Sequence, residues 1–187
     1  MKTNILLDET TRKYFDPTTK TITQKFIDSQ IKEMKELNPQ NILDIGCGNG
    51  YITNRSREIL GVPIIGCDID EKRIRIGKKV FGGEFIIANI NYLPFKSKSI
   101  DTTIASEVIE HVADIQRPLE EIKRISSRNV IITVPNDPIF MMANFLRGRH
   151  LKTFGNPHDH IHHFHKKSLF RTLVPYFSQI EVNSCRL

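Results

Sequence analysis

The chain has 187 residues, of which 39% are hydrophobic and 26% are charged, and these values are typical of one globular domain. No uncharged run approaches the roughly 18 to 20 apolar residues of a membrane span, and the polar N-terminus lacks the apolar core of a secretory signal. The three cysteines (Cys47, Cys67 and Cys185) follow neither a disulfide-framework nor a zinc-finger spacing. These features exclude a membrane-spanning or disulfide-stapled class, and we expect a cytoplasmic protein.

The formal net charge of +6 is distributed unevenly. Residues 137–187 contain seven Lys and Arg against three acids. Such a surplus can attract RNA, phosphorylated substrates or an anionic membrane surface, although an excess of this size is more often a solvated surface. RNA is therefore retained as an alternative partner, bound through this basic C-terminal segment.

Helical and strand patterns alternate along most of the chain. Apolar residues recur at helical spacing over 21–37, which predicts an amphipathic helix that ends at Asn38-Pro39. Short apolar runs typical of buried parallel strands follow at 41–45, 62–67, 84–88, 102–105 and 130–134, with helices predicted at 50–59, 70–80 and 107–126. This alternation predicts an α/β fold, a doubly wound Rossmann-like arrangement whose mainly parallel sheet is covered on both faces.

A glycine-rich loop follows the first strand. Asp44 lies on that strand, which continues directly into the sequence Gly46-Cys47-Gly48-Asn49-Gly50. Three glycines in five residues are entropically costly, and they indicate a turn with positive φ or a backbone that approaches a ligand. Asp68 closes the next strand about 20 residues later, where nucleotide-binding folds of this type place a carboxylate that accepts ribose hydroxyls. Asn89-Ile90 ends the third strand, at the position expected for an adenine.

A dinucleotide-dependent dehydrogenase is the less favoured interpretation of this loop. The fingerprint of these enzymes is G-x-G-x-x-G. Counted from Gly46, its third glycine would stand at position 51, where this chain has Tyr51.

Four segments resemble the successive motifs of class I S-adenosylmethionine-dependent methyltransferases of the small-molecule and quinone-biosynthesis type: NILDIGCGNGYIT, IIGCDIDEKRI, LPFKSKSIDTTIASEVIEHV and ITVPN. The resemblance covers residues 40 to 174 approximately, and it implies S-adenosyl-L-methionine as the cofactor. Position 89 is Asn here, whereas the family more often has Asp. The implied cofactor-binding residues are Asp44, Gly46, Cys47, Gly48, Gly50, Asp68, Ile69, Asn89, Ile90 and Ser106.

Acid–base candidates follow the fourth strand. Because a sulfonium is already a good methyl donor, the protein mainly has to align the acceptor and take the proton of a hydroxyl. Glu107 and His111 are the candidate catalytic residues, and with Glu110 they would share one helix face if Glu107 opens a helix. The predicted activity is methyl transfer to a small-molecule, lipid or glycan acceptor, at oxygen.

A divalent metal is a second interpretation of the same region. Two carboxylates and two imidazoles can hold such an ion. Glu107, Glu110, His111 and His160 resemble the ligands of small-RNA 3′-terminal 2′-O-methyltransferases, and the first three also resemble a magnesium site of some quinone-pathway enzymes. Charged residues that line a pocket or hold loops are the favoured interpretation. Metal-dependent 2′-O-methylation of an RNA 3′ end is therefore an alternative function, and a non-catalytic cofactor-fold binding module is an alternative of another class.

The whole chain, 1–187, is interpreted as one methyltransferase domain. Residues 1–37 form an N-terminal helical region, 40–134 the cofactor-binding core, and 135–187 a substrate cap with the terminal strand. For the last part we predict a helix at 138–147, a histidine-rich loop at 148–165, a helix at 166–174 and a strand at 177–183. The resemblance implies two final antiparallel strands, so we expect that the last one is lacking, which leaves an edge for a partner chain or a homodimer.

Overall fold

The computed structural model describes residues 20–136 and 161–184. Its helices are α1 (Lys20–Glu36), α2 (Tyr51–Leu60), α3 (Glu71–Phe81), α4 (Gln116–Ile125) and α5 (Lys166–Leu173). Its strands are β1 (Ile42–Ile45), β2 (Ile64–Asp68), β3 (Glu84–Ile87), β4 (Ile100–Ser106) and β5 (Ser126–Thr133). A single 3₁₀ turn, Ile109–His111, lies between β4 and α4. Within these described ranges, no helix combines the length and apolarity required to cross a bilayer.

The strands form one parallel sheet in the order β3-β2-β1-β4-β5. This order confirms the predicted doubly wound, Rossmann-like fold. Ile45 of β1 pairs with Cys67 of β2 on one side and with Ala105 of β4 on the other. Consequently the glycine loop, which follows β1, lies at the same edge of the sheet as Asp68 and Ser106, the last residues of β2 and β4. The strand order reverses between β1 and β4, and the crevice at such a reversal is where these folds bind ligands.

Both faces of the sheet are buried. On one face, Ile42, Ile64 and Ile104 pack with Ile31 and other apolar residues of α1. On the opposite face, Leu43, Cys67 and Ala105 pack with α4 residues such as Ile122. Strands covered on both sides explain why the sequence shows continuous apolar runs rather than alternation.

Phe85 of β3 fills a hollow that three glycines leave open. A Cβ added to Gly50 would lie 2.2 Å from the Phe85 Cε1 atom, and one added to Gly66 would lie 2.8 Å from it. The corresponding distance for Gly77 is 3.5 Å. The aromatic ring therefore packs against the start of α2, the middle of β2 and the middle of α3.

The predicted helix at 107–126 is wrong in its first half. Glu107 has φ +55, which is outside the right-handed helical region, and α4 begins only at Gln116. Pro118 has no N–H, so it fits only the first turn of a helix. Asp114 supports this start, because its Oδ1 atom accepts the Gln116 N–H at 2.9 Å. The three predicted site residues 107, 110 and 111 therefore do not share one helix face.

The strand predicted at 177–183 is also wrong. Phe177, Ile180 and Val182 instead pack, partly buried, against a cluster that contains Leu169 and Leu173 of α5. Among the described residues, β5 is therefore the outermost strand on that side of the sheet. The helix predicted at 138–147 and most of the histidine-rich loop lie outside the described residues.

Candidate active site

The glycine loop leaves free space at one of its three glycines. A Cβ at Gly46 would lie 2.3 Å from Cγ2 of Val108, and Gly50 is closed by Phe85. Gly48 also has a positive φ, +58, but among the described residues, its two chain neighbours aside, no heavy atom lies within 4 Å of its ideal Cβ position. Packing thus explains Gly46 and Gly50, whereas the open side of Gly48 is where a ligand can approach the backbone.

Asp68 holds the glycine loop from the neighbouring strand. Its Oδ2 atom accepts the Gly48 N–H and its Oδ1 atom accepts the Asp70 N–H, both at 2.8 Å. A carboxylate has about four acceptor positions, so these two bonds leave capacity for hydroxyl groups of a ligand. Asp68 therefore fits the predicted ribose contact and in addition fixes the loop on which Gly48 lies.

Asp44 is buried beneath the same loop. The Thr53 hydroxyl of α2 donates to its Oδ2 atom at 2.6 Å. Burial raises the pKa of Asp44 to about 6, partly offset by the Thr53 hydrogen bond and increased slightly by the nearby Asp68 carboxylate. Asp44 thus connects β1 to the first turn of α2, and Thr53, its partner, was not among the predicted site residues.

The two cysteines near the loop are poor nucleophiles. Burial raises the pKa of Cys67 to about 12 and moves the pKa of Cys47 above its usual range, with Asp44 adding to both shifts. The thiolate is the reactive form, so both side chains are unreactive thiols at neutral pH. Cys67 instead serves the loop through its backbone, because its carbonyl oxygen accepts the Gly46 and Cys47 N–H groups at 2.8 and 3.0 Å.

The predicted adenine side combines an apolar surface with a tight turn. Ile69 is 68% exposed directly after Asp68, although it is a large apolar residue. Asn89 forms a turn in which its Oδ1 atom accepts the Asn91 N–H and its carbonyl accepts the Tyr92 N–H, each at 2.9 Å. Ile90 is partly buried against the core on the α4 face. Ile69 and Asn89 therefore lie at the predicted edge, and Ile90 contributes mainly to packing.

Tyr92 is a neighbour of this side that the sequence did not reveal. Its ring is 69% exposed and lies 5.3 Å from the guanidinium carbon of Arg117. Arg117 also donates to the Asn91 carbonyl at 3.1 Å. The loop after β3 is thus fastened to α4.

Ser106 and Glu107 form a turn at the end of β4. The positive φ of Glu107 is a conformation that non-glycine residues rarely adopt. The Glu107 N–H donates to the Thr133 carbonyl at 3.0 Å, and the Thr133 hydroxyl donates to Glu107 Oε1 at 3.3 Å. Strained backbone of this kind persists only where the surroundings hold it, and it is common at functional sites.

The remaining candidates lie around the 3₁₀ turn. Glu110 is 1% exposed, and its Oε1 atom lies 3.9 Å from Nε2 of His111. The Glu110 carbonyl accepts the N–H groups of Ile161 and His162 at 2.9 and 3.1 Å, and His162 Nε2 lies 3.3 Å from the Ala113 carbonyl. These hydrogen bonds join the first described residues after position 160 to the 3₁₀ turn.

The metal interpretation remains a prediction. Within the described ranges, no three His, Cys, Asp or Glu side chains are grouped closely enough to hold a metal ion. His160, the fourth member of the predicted set, lies outside the described residues.

These features define a Rossmann-like α/β protein with a candidate nucleotide-type site at the carboxyl edge of its sheet. The family described as "Methyltransferase domain" matches residues 43–134. Residues 43–134, about half of the chain, thus form a methyltransferase domain of the class I S-adenosylmethionine-dependent type.

Two curated relatives are longer than the segment over which this chain matches them. The chain is 28% identical over 144 residues to an uncharacterized protein of Methanocaldococcus jannaschii, covering 75% of this chain and 55% of that protein. It is 30% identical over 95 residues to a demethylmenaquinone methyltransferase of Thermotoga maritima, covering 50% and 42% respectively. The chain thus spans about half the length of the curated relatives that it matches.

Solved structures share the fold. One is a Thermotoga maritima S-adenosylmethionine-dependent methyltransferase described as a "possible histamine N-methyltransferase", with a TM-score of 0.61, 21% identity, and coverage of 80% of this chain and 70% of that one. Another is a putative methyltransferase in complex with the Haloferax volcanii Trm112 methyltransferase activator, with a TM-score of 0.58, 17% identity, and coverage of 74% and 61%. At these identities the similarity concerns the fold alone.

Proposed function

We propose that this chain transfers a methyl group from S-adenosyl-L-methionine to an oxygen atom of a small-molecule, lipid or glycan acceptor. The observation that carries the proposal is the open side of Gly48, which lies between the Asp68 carboxylate on β2 and the Ser106-Glu107 turn on β4. When bound, the cofactor supplies an electrophilic methyl group on a sulfonium. The residues present fit it, because the loop offers free backbone, Asp68 has acceptor capacity, and Ile69 offers an exposed apolar side chain.

The positions of the residues support the roles that we propose for them. Asp68 accepts the ribose hydroxyls, Ile69 packs on the adenine, and the backbone at Gly48 meets the amino-acid end of the cofactor. Glu107, directly after the strand next to the loop, lies on the side of the methyl group. Glu107 and His111 are the proposed proton acceptors for the hydroxyl that becomes methylated.

Methylation at oxygen is supported by two further curated relatives. A ubiquinone biosynthesis O-methyltransferase of Sinorhizobium fredii is 32% identical over 45% of this chain and 36% of that protein. An Aspergillus sclerotiorum O-methyltransferase is 29% identical over 46% of this chain and 35% of that protein. These matches involve parts of the proteins, so they support the type of acceptor atom and leave the acceptor molecule open.

The test is calorimetric titration of the purified chain with S-adenosylhomocysteine. We expect saturable binding to the wild type and at least about thirtyfold weaker binding to Asp68→Asn, which can accept only one of the Gly48 and Asp70 N–H groups and loses the charge that attracts ribose hydroxyls. Asp101→Asn is the matched control, because Asp101 is also buried but lies at the opposite end of β4. Absence of binding to the wild type, or equal weakening by both variants, would contradict the proposal.

A further inference from the structure

Gln30 is a polar residue in a buried row of α1. The other buried side chains of this helix, Ile27, Ile31 and Met34, are apolar and pack on the sheet. Gln30 is only 3% exposed, and its Nε2 atom lies 2.5 Å from the Ser106 hydroxyl and 3.4 Å from the Thr133 hydroxyl. Its amide therefore reaches the ends of β4 and β5, next to the Glu107 turn.

The direction of the hydrogen bonds can be worked out from Glu107. An ionised carboxylate only accepts, so the Thr133 hydroxyl donates to Glu107 Oε1. The Thr133 oxygen is then free to accept from Gln30, which places the NH₂ group of the amide on this side. The result is a chain of donors that runs from α1 through β5 to the candidate catalytic carboxylate.

A gain in folding stability does not explain why residue 30 carries an amide side chain. The Gln30 Oε1 atom is buried and has no hydrogen-bond partner among the described residues. A buried polar atom without a partner costs free energy, which an apolar side chain of the same length would avoid. A polar group retained at such a cost next to a strained turn points to a role at the site.

We infer that Gln30 is a positioning residue, which holds the Ser106-Glu107 turn and directs the Glu107 carboxylate toward the cofactor. This inference rests on the proposed function, in which Glu107 lies on the side of the methyl group. The turn also contacts the cofactor loop, because the Val108 side chain occupies the space beside Gly46. Gln30 thus couples the N-terminal helix to the reacting end of the site.

Gln30→Met tests the inference without any ligand. This variant keeps the side-chain length but removes the amide, so we expect an unchanged or higher melting temperature. Hydrogen exchange of the Glu107 amide should be at least about tenfold faster, because the turn loses its support. Gln24→Met, on the partly exposed side of the same helix, is the matched control and should leave that exchange unchanged. A Gln30→Met chain that is destabilised throughout, with no selective change at residue 107, would indicate a merely structural role and overturn the inference.

A second measurement compares two ligands that differ in charge. S-adenosylmethionine carries a sulfonium that a well-placed Glu107 carboxylate attracts, whereas S-adenosylhomocysteine is neutral at this sulfur. Gln30→Met should weaken binding of S-adenosylmethionine by about five- to tenfold and change that of S-adenosylhomocysteine less than about twofold. Glu107→Gln should give the same selective loss, and the double variant should be no weaker than either single variant.

The outcomes separate the inference from the proposed function. Failure of both compounds to bind the wild-type chain would overturn the two together. Normal wild-type binding with an unchanged affinity ratio in Gln30→Met would overturn the inference alone.

Discussion

Asp44 is a single residue that should make the free energy of unfolding of the whole fold depend on pH. Its pKa in the folded chain is about 6, against 3.8 for an unhindered aspartate, because burial disfavours the charged form. Between these two pH values the folded chain binds a proton that the unfolded chain has released. The free energy of unfolding therefore falls as the pH rises through this window.

Asp44→Asn should remove this pH dependence, because an asparagine can still accept the Thr53 hydrogen bond but carries no charge. We expect the stability of the variant relative to the wild type to increase by at most about 3 kcal/mol between pH 4 and pH 7. Urea unfolding of both chains across this range measures the difference, in which the other titrating groups cancel. A constant difference would show that Asp44 is not responsible.

Gly46 and Gly48 are two positions apart in the sequence and have different reasons to be glycine. Gly46→Ala should destabilise the fold by more than about 1 kcal/mol, since the new methyl group meets Val108 in addition to the unfavourable φ. Adding Val108→Ala should restore part of that loss. Gly48→Ala shares the unfavourable φ but has no such clash, so it should destabilise the fold less than Gly46→Ala and in addition weaken S-adenosylhomocysteine binding. Thermal unfolding and calorimetry on the same variants separate the two effects, and equal destabilisation by both alanines would argue against this distinction.

At the scale of elements, α4 is held to the loop after β3 by one buried carboxylate. Glu121 is 4% exposed, and its Oε2 atom accepts the Leu93 N–H and an Arg124 N–H, each at 2.8 Å. Arg124 also donates to the Leu93 and Phe95 carbonyls, at 2.9 and 2.7 Å. The hydrogen bonds from Arg124 lower the pKa of Glu121, which therefore stays ionised at neutral pH.

Glu121→Gln should lower the free energy of unfolding by about 1 to 3 kcal/mol, because it weakens a buried charge-assisted network. Glu120→Gln is the matched control. Glu120 is an exposed neighbour that pairs with Arg117 at 3.5 Å and should contribute less than about 0.5 kcal/mol. Urea denaturation of the two variants provides the comparison, and similar losses in both would contradict the assignment.

Long regular elements were predictable from the sequence, because their apolar spacing reflects burial. The helix predicted at 21–37 is α1, and the five predicted strands are present with shifted ends. The helix predicted at 107–126 does not contain the break before α4, although Pro118 indicates it, because a proline fits only the first turn of a helix. The strand at 177–183 was wrong because apolar residues there pack on α5 as irregular chain.

The candidate site was predictable only in part, because the sequence reveals only those residues that a local pattern requires. The glycines and Asp68 are recognisable because a ligand-binding turn requires them at fixed spacing. Gln30 and Thr133 could not be found this way. Each looks like an ordinary polar residue in its element, and only the tertiary fold brings them to Glu107, 77 and 26 positions away in the sequence.

At the scale of the whole molecule, the sheet brings distant segments to one edge, so ligand binding there should stabilise the entire fold. A ligand that binds only the folded chain, at about one hundred times its dissociation constant, adds about 2.7 kcal/mol. For a chain of this size, S-adenosylhomocysteine should therefore raise the melting temperature by about 5 to 10 °C. Differential scanning fluorimetry measures the shift, with adenosine and methionine added separately as controls. No shift, or an equal shift with either control, would contradict a site that spans the edge.

Partner interactions remain predictions at this scale. The basic segment 137–187 is the predicted RNA-binding part of the chain, and much of it lies outside the described residues. A homodimer or another partner chain at the outer side of β5 likewise remains a prediction. The activator complex among the structural neighbours concerns that other methyltransferase.

The hollow occupied by Phe85 constrains how this sequence can change over time. An alanine at position 50 or 66 cannot be accommodated while the phenylalanine ring is in place, since the new methyl group would overlap it. A smaller residue at position 85 would have to appear first, and that intermediate would carry a cavity until a second substitution filled it. The order of substitutions is thus restricted, and the end of the cofactor loop is expected to covary with β3.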